Sequence, residues 1–180
     1  MNAPMTTATT PANLNLETAR SHLRRLGLYG LLAHAQTLLN EPWLARVIEI
    51  EDTERAHRSL KRRLDHSRLG AFKPIADFDW AWPDKCDRSA IEELFSLGFN
   101  EEAANVVFIG NKGLGKTMIL KNLLHKAVLH GHTARFTLAS DMLHDLAAQD
   151  STVSLARRLR RYTSPRLLAI DLCEVCSYVE

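Results

Sequence analysis

Long apolar runs are missing from this chain: no stretch approaches the roughly 18 consecutive apolar residues that a membrane-spanning helix needs. The opening "MNAPMTTATTPA" has neither the basic start nor the apolar centre of a signal peptide. Residues 1–13 are therefore expected to form a disordered tail, and the protein to work in the cytoplasm. Cysteine is scarce. Cys86, Cys173 and Cys176 are too few, and odd in number, for a disulfide framework, which agrees with a reducing compartment. Cys173 and Cys176 are spaced C-x-x-C, yet only Cys86 and scattered histidines remain as partners, so a metal or redox pair is not expected. The eight histidines show no H-E-x-x-H or comparable spacing, so each is expected to be a surface or ordinary packing residue.

Hydrophobic residues make up 46% of the 180 and charged residues 24%, enough for a packed core. The length suits one ordinary domain, or a small one with a helical appendage. A net charge of only +2 hides an uneven distribution. Between Arg55 and Arg68 stand Arg55, Arg58, Lys61, Arg62, Arg63 and Arg68 against the one acid Asp65. Five arginines and no acid lie between Arg157 and Arg166. A polyanion responds to such local patches rather than to the mean. Each patch could equally be a solvated helix face.

The chain reads as helices followed by alternating strands and helices. Asn15 can cap a helix over about 16–39, and a second helix follows the turn at "NEP" to about Arg68. Two helices joined by a short turn predict an antiparallel pair, so residues 14–69 are expected to form a small N-terminal helical domain. Residues 70–88, with two prolines and the rings of Phe72, Phe78, Trp80 and Trp82, read as an extended aromatic connector. "SAIE" resembles a capping box opened by Ser89. "NVVFI", residues 105–109, is a continuous apolar run suited to a parallel strand buried on both faces. A helix is expected over 116–130, a strand at "TARFT", a helix capped by Ser140, a basic amphipathic helix over 153–162, and a strand at "RLLAID". That order predicts an α/β fold with a parallel sheet over 89–180.

Gly110, Gly115, Lys116 and Thr117 fit G-x-x-x-x-G-K-[ST], with a strand pattern before the motif and a helix pattern after it. Glycines let the backbone curl so that successive N–H groups face phosphate oxygens, and the start of the helix adds its positive end. The expected phosphate cradle is Gly110, Asn111, Lys112, Gly113, Leu114, Gly115, Lys116 and Thr117. Lys116 would reach the β- and γ-phosphates and the Thr117 hydroxyl would ligate Mg²⁺. A plain glycine-rich turn is the alternative, but it does not require all four motif positions. Asp171, closing "LLAID", is the candidate second magnesium residue.

The helical pair, "DFDW", "NVVFIGNKGLGKT", "RFTLASDML" and "RRLRRYTSPRLLAID" together resemble the IstB-like ATP-binding proteins of bacterial insertion sequences. These are AAA+ P-loop ATPases related to helicase loaders, and the resemblance runs over about 14–171. It implies ATP and Mg²⁺ as cofactors, DNA and a transposase as partners, and assembly with further copies on DNA. Arg55, Arg58, Lys61, Arg62 and Arg63 become the candidate DNA contacts. The family places Glu directly after the magnesium Asp, and here that position is Leu172. Glu174 is the remaining catalytic candidate, on the same side of an extended chain but about 7 Å further along. With "LCEVCSYVE" departing from the family pattern, a shortened copy with an incomplete sheet and impaired hydrolysis is expected. Three other readings stay open: a helicase-loader-like ATPase, a non-catalytic nucleotide- or DNA-binding remnant, and a small-molecule P-loop kinase.

Overall fold

Asn15 opens the first helix as expected. Its side chain accepts from the Thr18 amide at 2.8 Å, and the Thr18 hydroxyl closes the reciprocal bond. This computed structural model describes residues 15–81 and 86–172. The expected tail at 1–13, together with Trp82, Cys173, Glu174 and Cys176, lies outside them. The chain divides into two compact units between Ser59 and Leu60, upstream of the boundary expected after residue 69.

In the first unit the helix expected over 16–39 is broken into α1 (Leu16–Leu26), α2 (Tyr29–Ala33) and α3 (Ala35–Leu38). Gly27 breaks it. At φ 68° it adopts the left-handed conformation that ends helices, its N–H bonding Arg24 O while the Leu28 N–H bonds Leu23 O. Ala19, Leu23 and Leu26, one turn apart, are fully buried. Leu23 and Leu26 pack with Ala35, Leu44 and Ile48, the last two from α4 (Pro42–Ser67), each large side chain contributing about 1.5–3 kcal/mol.

The second unit is built around α7 (Lys116–Leu129), β1 (Ala134–Leu138) and β2 (Leu167–Asp171). Between the strands lie α8 (Ala139–Ala147) and α9 (Thr152–Thr163), the latter capped by Ser151. The strands pair in parallel, with Ala134 opposite Leu167 and Leu138 opposite Asp171. Leu123, Leu124, Ala127 and Val128 on α7 fill the core against Ala134, Leu167 and Ala169. Two shorter helices precede this layer, α5 (Arg88–Leu94) and α6 (Gly98–Glu101). Asp87, not Ser89, caps α5, its carboxylate accepting from the Ala90 amide. Ser140 likewise lies inside α8, whose N-cap position is Leu138.

The strand expected at 105–109 is also corrected. Residues 105–109 join no ladder, so the sheet of the described residues has two strands rather than three. Val107 and Ile109 are 77% and 92% exposed, while Val106 and Phe108 are half-buried. A run buried on both faces needs a partner strand or helix on each side, and among the described residues only one side is covered. The α/β parallel architecture stands nonetheless.

Candidate nucleotide-binding site

The loop from Gly110 to Gly115 leads directly into the first turn of α7. Gly113 and Gly115 have φ of 87° and 79°, values that L side chains rarely adopt. Gly115 has a second reason to lack a side chain, because a Cβ there would lie 2.5 Å from Cε2 of Phe78. No side chain caps the start of α7, which leaves its first N–H groups directed out of the helix end, the arrangement that favours an anion. The Lys116 ammonium donates to the carbonyls of Gly110 and Asn111, both at 2.7 Å, and so stays folded over its own loop.

The two candidate magnesium residues meet. Thr117 Oγ1 donates to Asp171 Oδ2 at 2.6 Å, although 54 positions separate them. The parallel pairing of β1 and β2 brings Asp171 there, since it ends the strand lying beside α7 in the same core. A hydroxyl and a carboxylate in contact are the hard oxygen donors that Mg²⁺ prefers. Among the described residues no cluster of three or more His, Cys, Asp or Glu could hold a metal. A cleft of about 510 Å³ opens beside this pair, lined also by Lys121, Arg135, Arg161 and Tyr162.

Some positioning residues had no local signature in the sequence. Asn122, buried in α7, accepts from the Ile75 amide at 3.0 Å and donates to Lys73 O at 2.8 Å. It thereby fastens the connector to the helix that carries Lys116. Phe78, in the same connector, stacks edge-on against Trp80 and presses on the loop at Gly115. Tyr162 donates to Asp145 Oδ2 at 2.7 Å, and Arg158 and Arg161 lie 3.2 and 3.6 Å from the same carboxylate. The Tyr162 bond, then the two arginines, hold the Asp145 carboxyl below its ordinary range against the opposing effect of burial.

The basic candidates are placed unequally. Arg55 donates to the carbonyls of Arg25 and Leu26, closing the C-terminal end of α1. Arg58 bonds Glu54 O at 3.3 Å and lies 3.9 Å from Glu51. Arg63 donates to Val128 O at the end of α7. Lys61 and Arg62 are exposed. Leu172, which directly follows Asp171 where the resemblance implies a catalytic Glu, is 59% exposed.

The profile of the family described as IstB-like ATP binding protein matches residues 11–176. A protein of Geobacillus stearothermophilus, whose name assigns it to ATP binding in insertion sequence IS5376, is 31% identical over 129 residues, which are 72% of this chain and 51% of the relative. A Mycobacterium tuberculosis protein named for ATP binding in an insertion sequence is 30% identical over 84% of this chain and 64% of its own length. The protein so named for insertion sequence IS21 of Pseudomonas aeruginosa is 29% identical over 83% of this chain and 60% of its own. The chain thus spans between 51% and 64% of the length of these relatives.

Proposed function

The chain belongs to the family of IstB-like ATP-binding proteins, and on that premise we propose that it is an ATP- and Mg²⁺-dependent helper of DNA transposition. In this reading it binds DNA, assembles there with further copies, and presents itself to the transposase of the same insertion sequence, in the cytoplasm. The contact between Thr117 and Asp171 carries the reading, because it puts a magnesium-competent oxygen pair at the start of the phosphate-binding helix. Gly110 to Gly115 would wrap the phosphates, Lys116 would neutralise their β and γ charge, and Thr117 and Asp171 would hold Mg²⁺. Lys61 and Arg62, exposed on α4, would meet DNA phosphates. No helix of the described residues is long and apolar enough to cross a membrane.

A second reading has its own support. Leu172 has no group that could orient a water or accept its proton, which favours a nucleotide-binding protein with little or no turnover. Titrating ATP with and without Mg²⁺, then measuring hydrolysis with and without duplex DNA and transposase, tests both. Binding that requires Lys116 and Mg²⁺ supports the site. DNA-stimulated hydrolysis favours the active helper, and binding without hydrolysis favours the second reading. Failure to bind ATP at all removes both.

A further inference from the structure

A second cleft of the second unit, of about 610 Å³, is lined by Arg62, Arg63, Arg68, Arg135 and Arg161 against the one acid Asp65. These arginines come from three places: the end of α4 and the residue that follows it, the start of β1, and the end of α9. Their meeting is built into the unit. Arg63 is tied to the end of α7 through Val128 O, and the Arg166 amide donates to Thr133 Oγ1 where β1 begins.

Such a gathering of like charge is unfavourable unless something negative answers it. Within the unit the answer is partial. Asp145 is one carboxylate shared among Arg158, Arg161 and the Tyr162 hydroxyl. Arg135 lies over the Tyr162 ring at 5.2 Å, and its Nε is buried without a hydrogen-bond partner among the described residues. Burial, followed by repulsion from Arg161 and Arg68, lowers the Arg135 pKa, with Tyr162 pulling the other way. Arginines gathered around an open cleft, with one carboxylate shared among them, are answered by an anion with several acceptor oxygens. Guanidinium forks match a phosphate bidentately, and the hydroxyls of Thr133 and Ser164 at the rim can add single donors.

We propose that this cleft seats the phosphodiester backbone of duplex DNA, with Arg62, Arg68, Arg135 and Arg161 as its phosphate contacts. The inference rests on the DNA-binding role proposed above and gives it a location that takes only Arg62 and Arg63 from the run Arg55 to Arg63. The cleft is open, wider than one phosphate requires, and borders the exposed stretch of α4 at Lys61 and Arg62, as a groove tracking a polymer should. It also shares Arg68, Arg135 and Arg161 with the cleft beside Thr117 and Asp171, so the triphosphate of a nucleotide is the other source of the same chemistry.

The test uses the whole chain, with fluorescence anisotropy on a labelled duplex across a salt series and a parallel ATP titration. The triple variant R62Q/R68Q/R161Q is compared with R20Q/R46Q/R88Q, which removes the same charge from other exposed sites. Two to three lost phosphate contacts should reduce the log–log salt slope by roughly 2 to 3 and lower DNA affinity at least tenfold. Arg62→Gln alone, which lies outside the cleft beside Thr117, should weaken DNA binding and leave ATP affinity unchanged. R135K keeps the charge but not the fork, and should lower DNA affinity several-fold with little change in slope. Equal losses in the control variant, or a loss of ATP affinity with DNA binding intact, would overturn the proposal. If the unaltered chain binds DNA and the triple variant binds it equally well, the cleft alone is wrong. If the unaltered chain binds no DNA, the cleft and the DNA-binding part of the proposed function fall together, while ATP binding still stands on its own titration.

Discussion

Gly115 and Phe78 occupy the same space as closely as backbone and ring can: a Cβ on the glycine would sit 2.5 Å from the ring. The left-handed φ of 79° at Gly115 is a second, separate demand for glycine. Gly115→Ala should therefore displace the loop and lower ATP affinity at least tenfold, about 1.4 kcal/mol. Adding Phe78→Ala relieves the clash but not the strain of the left-handed conformation, about 1–2 kcal/mol. Partial recovery in the double variant is the expected outcome, measured by ATP titration of folded protein. Full activity of Gly115→Ala alone would mean that the loop does not hold the nucleotide in this form.

Hydrolysis should be slow. Leucine at position 172 forgoes positioned general-base help worth roughly 10² to 10⁴ in rate. Phosphate release, measured on soluble protein shown to bind ATP, is expected near background with or without DNA. Lys116→Ala should lower ATP affinity at least tenfold, about 1.4 kcal/mol, and serves as the blank. Steady DNA-stimulated turnover that Lys116→Ala abolishes would contradict this, and would point to Glu174 or a partner chain as the source of the base.

Asn122 ties the connector to α7 through both ends of its amide. Asn122→Ala leaves the Ile75 amide and the Lys73 carbonyl without their partner, at a cost of about 1–3 kcal/mol. The urea midpoint should fall. ATP affinity should fall with it, because Phe78 would no longer be held against Gly115. Lowered stability with undiminished ATP affinity would show that the connector does not position the loop.

Asp145 makes stability depend on acid. Its folded carboxyl releases its proton more readily than the unfolded one, so its contribution is complete above the unfolded value of about 3.9 and is lost as pH falls through the lower folded value. Asp145→Asn should be less stable at pH 7 by up to about 1 kcal/mol, a modest figure because Arg158 and Arg161 are half-exposed. Urea unfolding of both proteins at pH 7 and near pH 3 should show that gap closing. A gap of the same size at both values would exclude an ion-pair role.

Local chemistry was readable in the residue order wherever it depends on neighbours in the chain. The glycines and Lys-Thr of the phosphate loop, the Asn15 cap, the pairing segments around Ala134 and Leu167, and the long helix ending at Ser67 all follow from short-range periodicity and turn chemistry. Asp171 was legible as an acid closing an apolar strand, but its contact with Thr117 was not, because that depends on which strand lies beside α7. The run at 105–109 looked like a strand by composition; whether it pairs is decided by what lies next to it, and Val107 and Ile109 face solvent instead. Arg55 and Arg63 looked like free surface charge until the fold put the carbonyl ends of α1 and α7 within their reach. Arg68, Arg135 and Arg161 stand far apart in the chain and form one cleft only after α4, β1 and α9 converge. Periodicity carries information over one or two turns of chain, and contact between distant elements is set by how their apolar faces share a core.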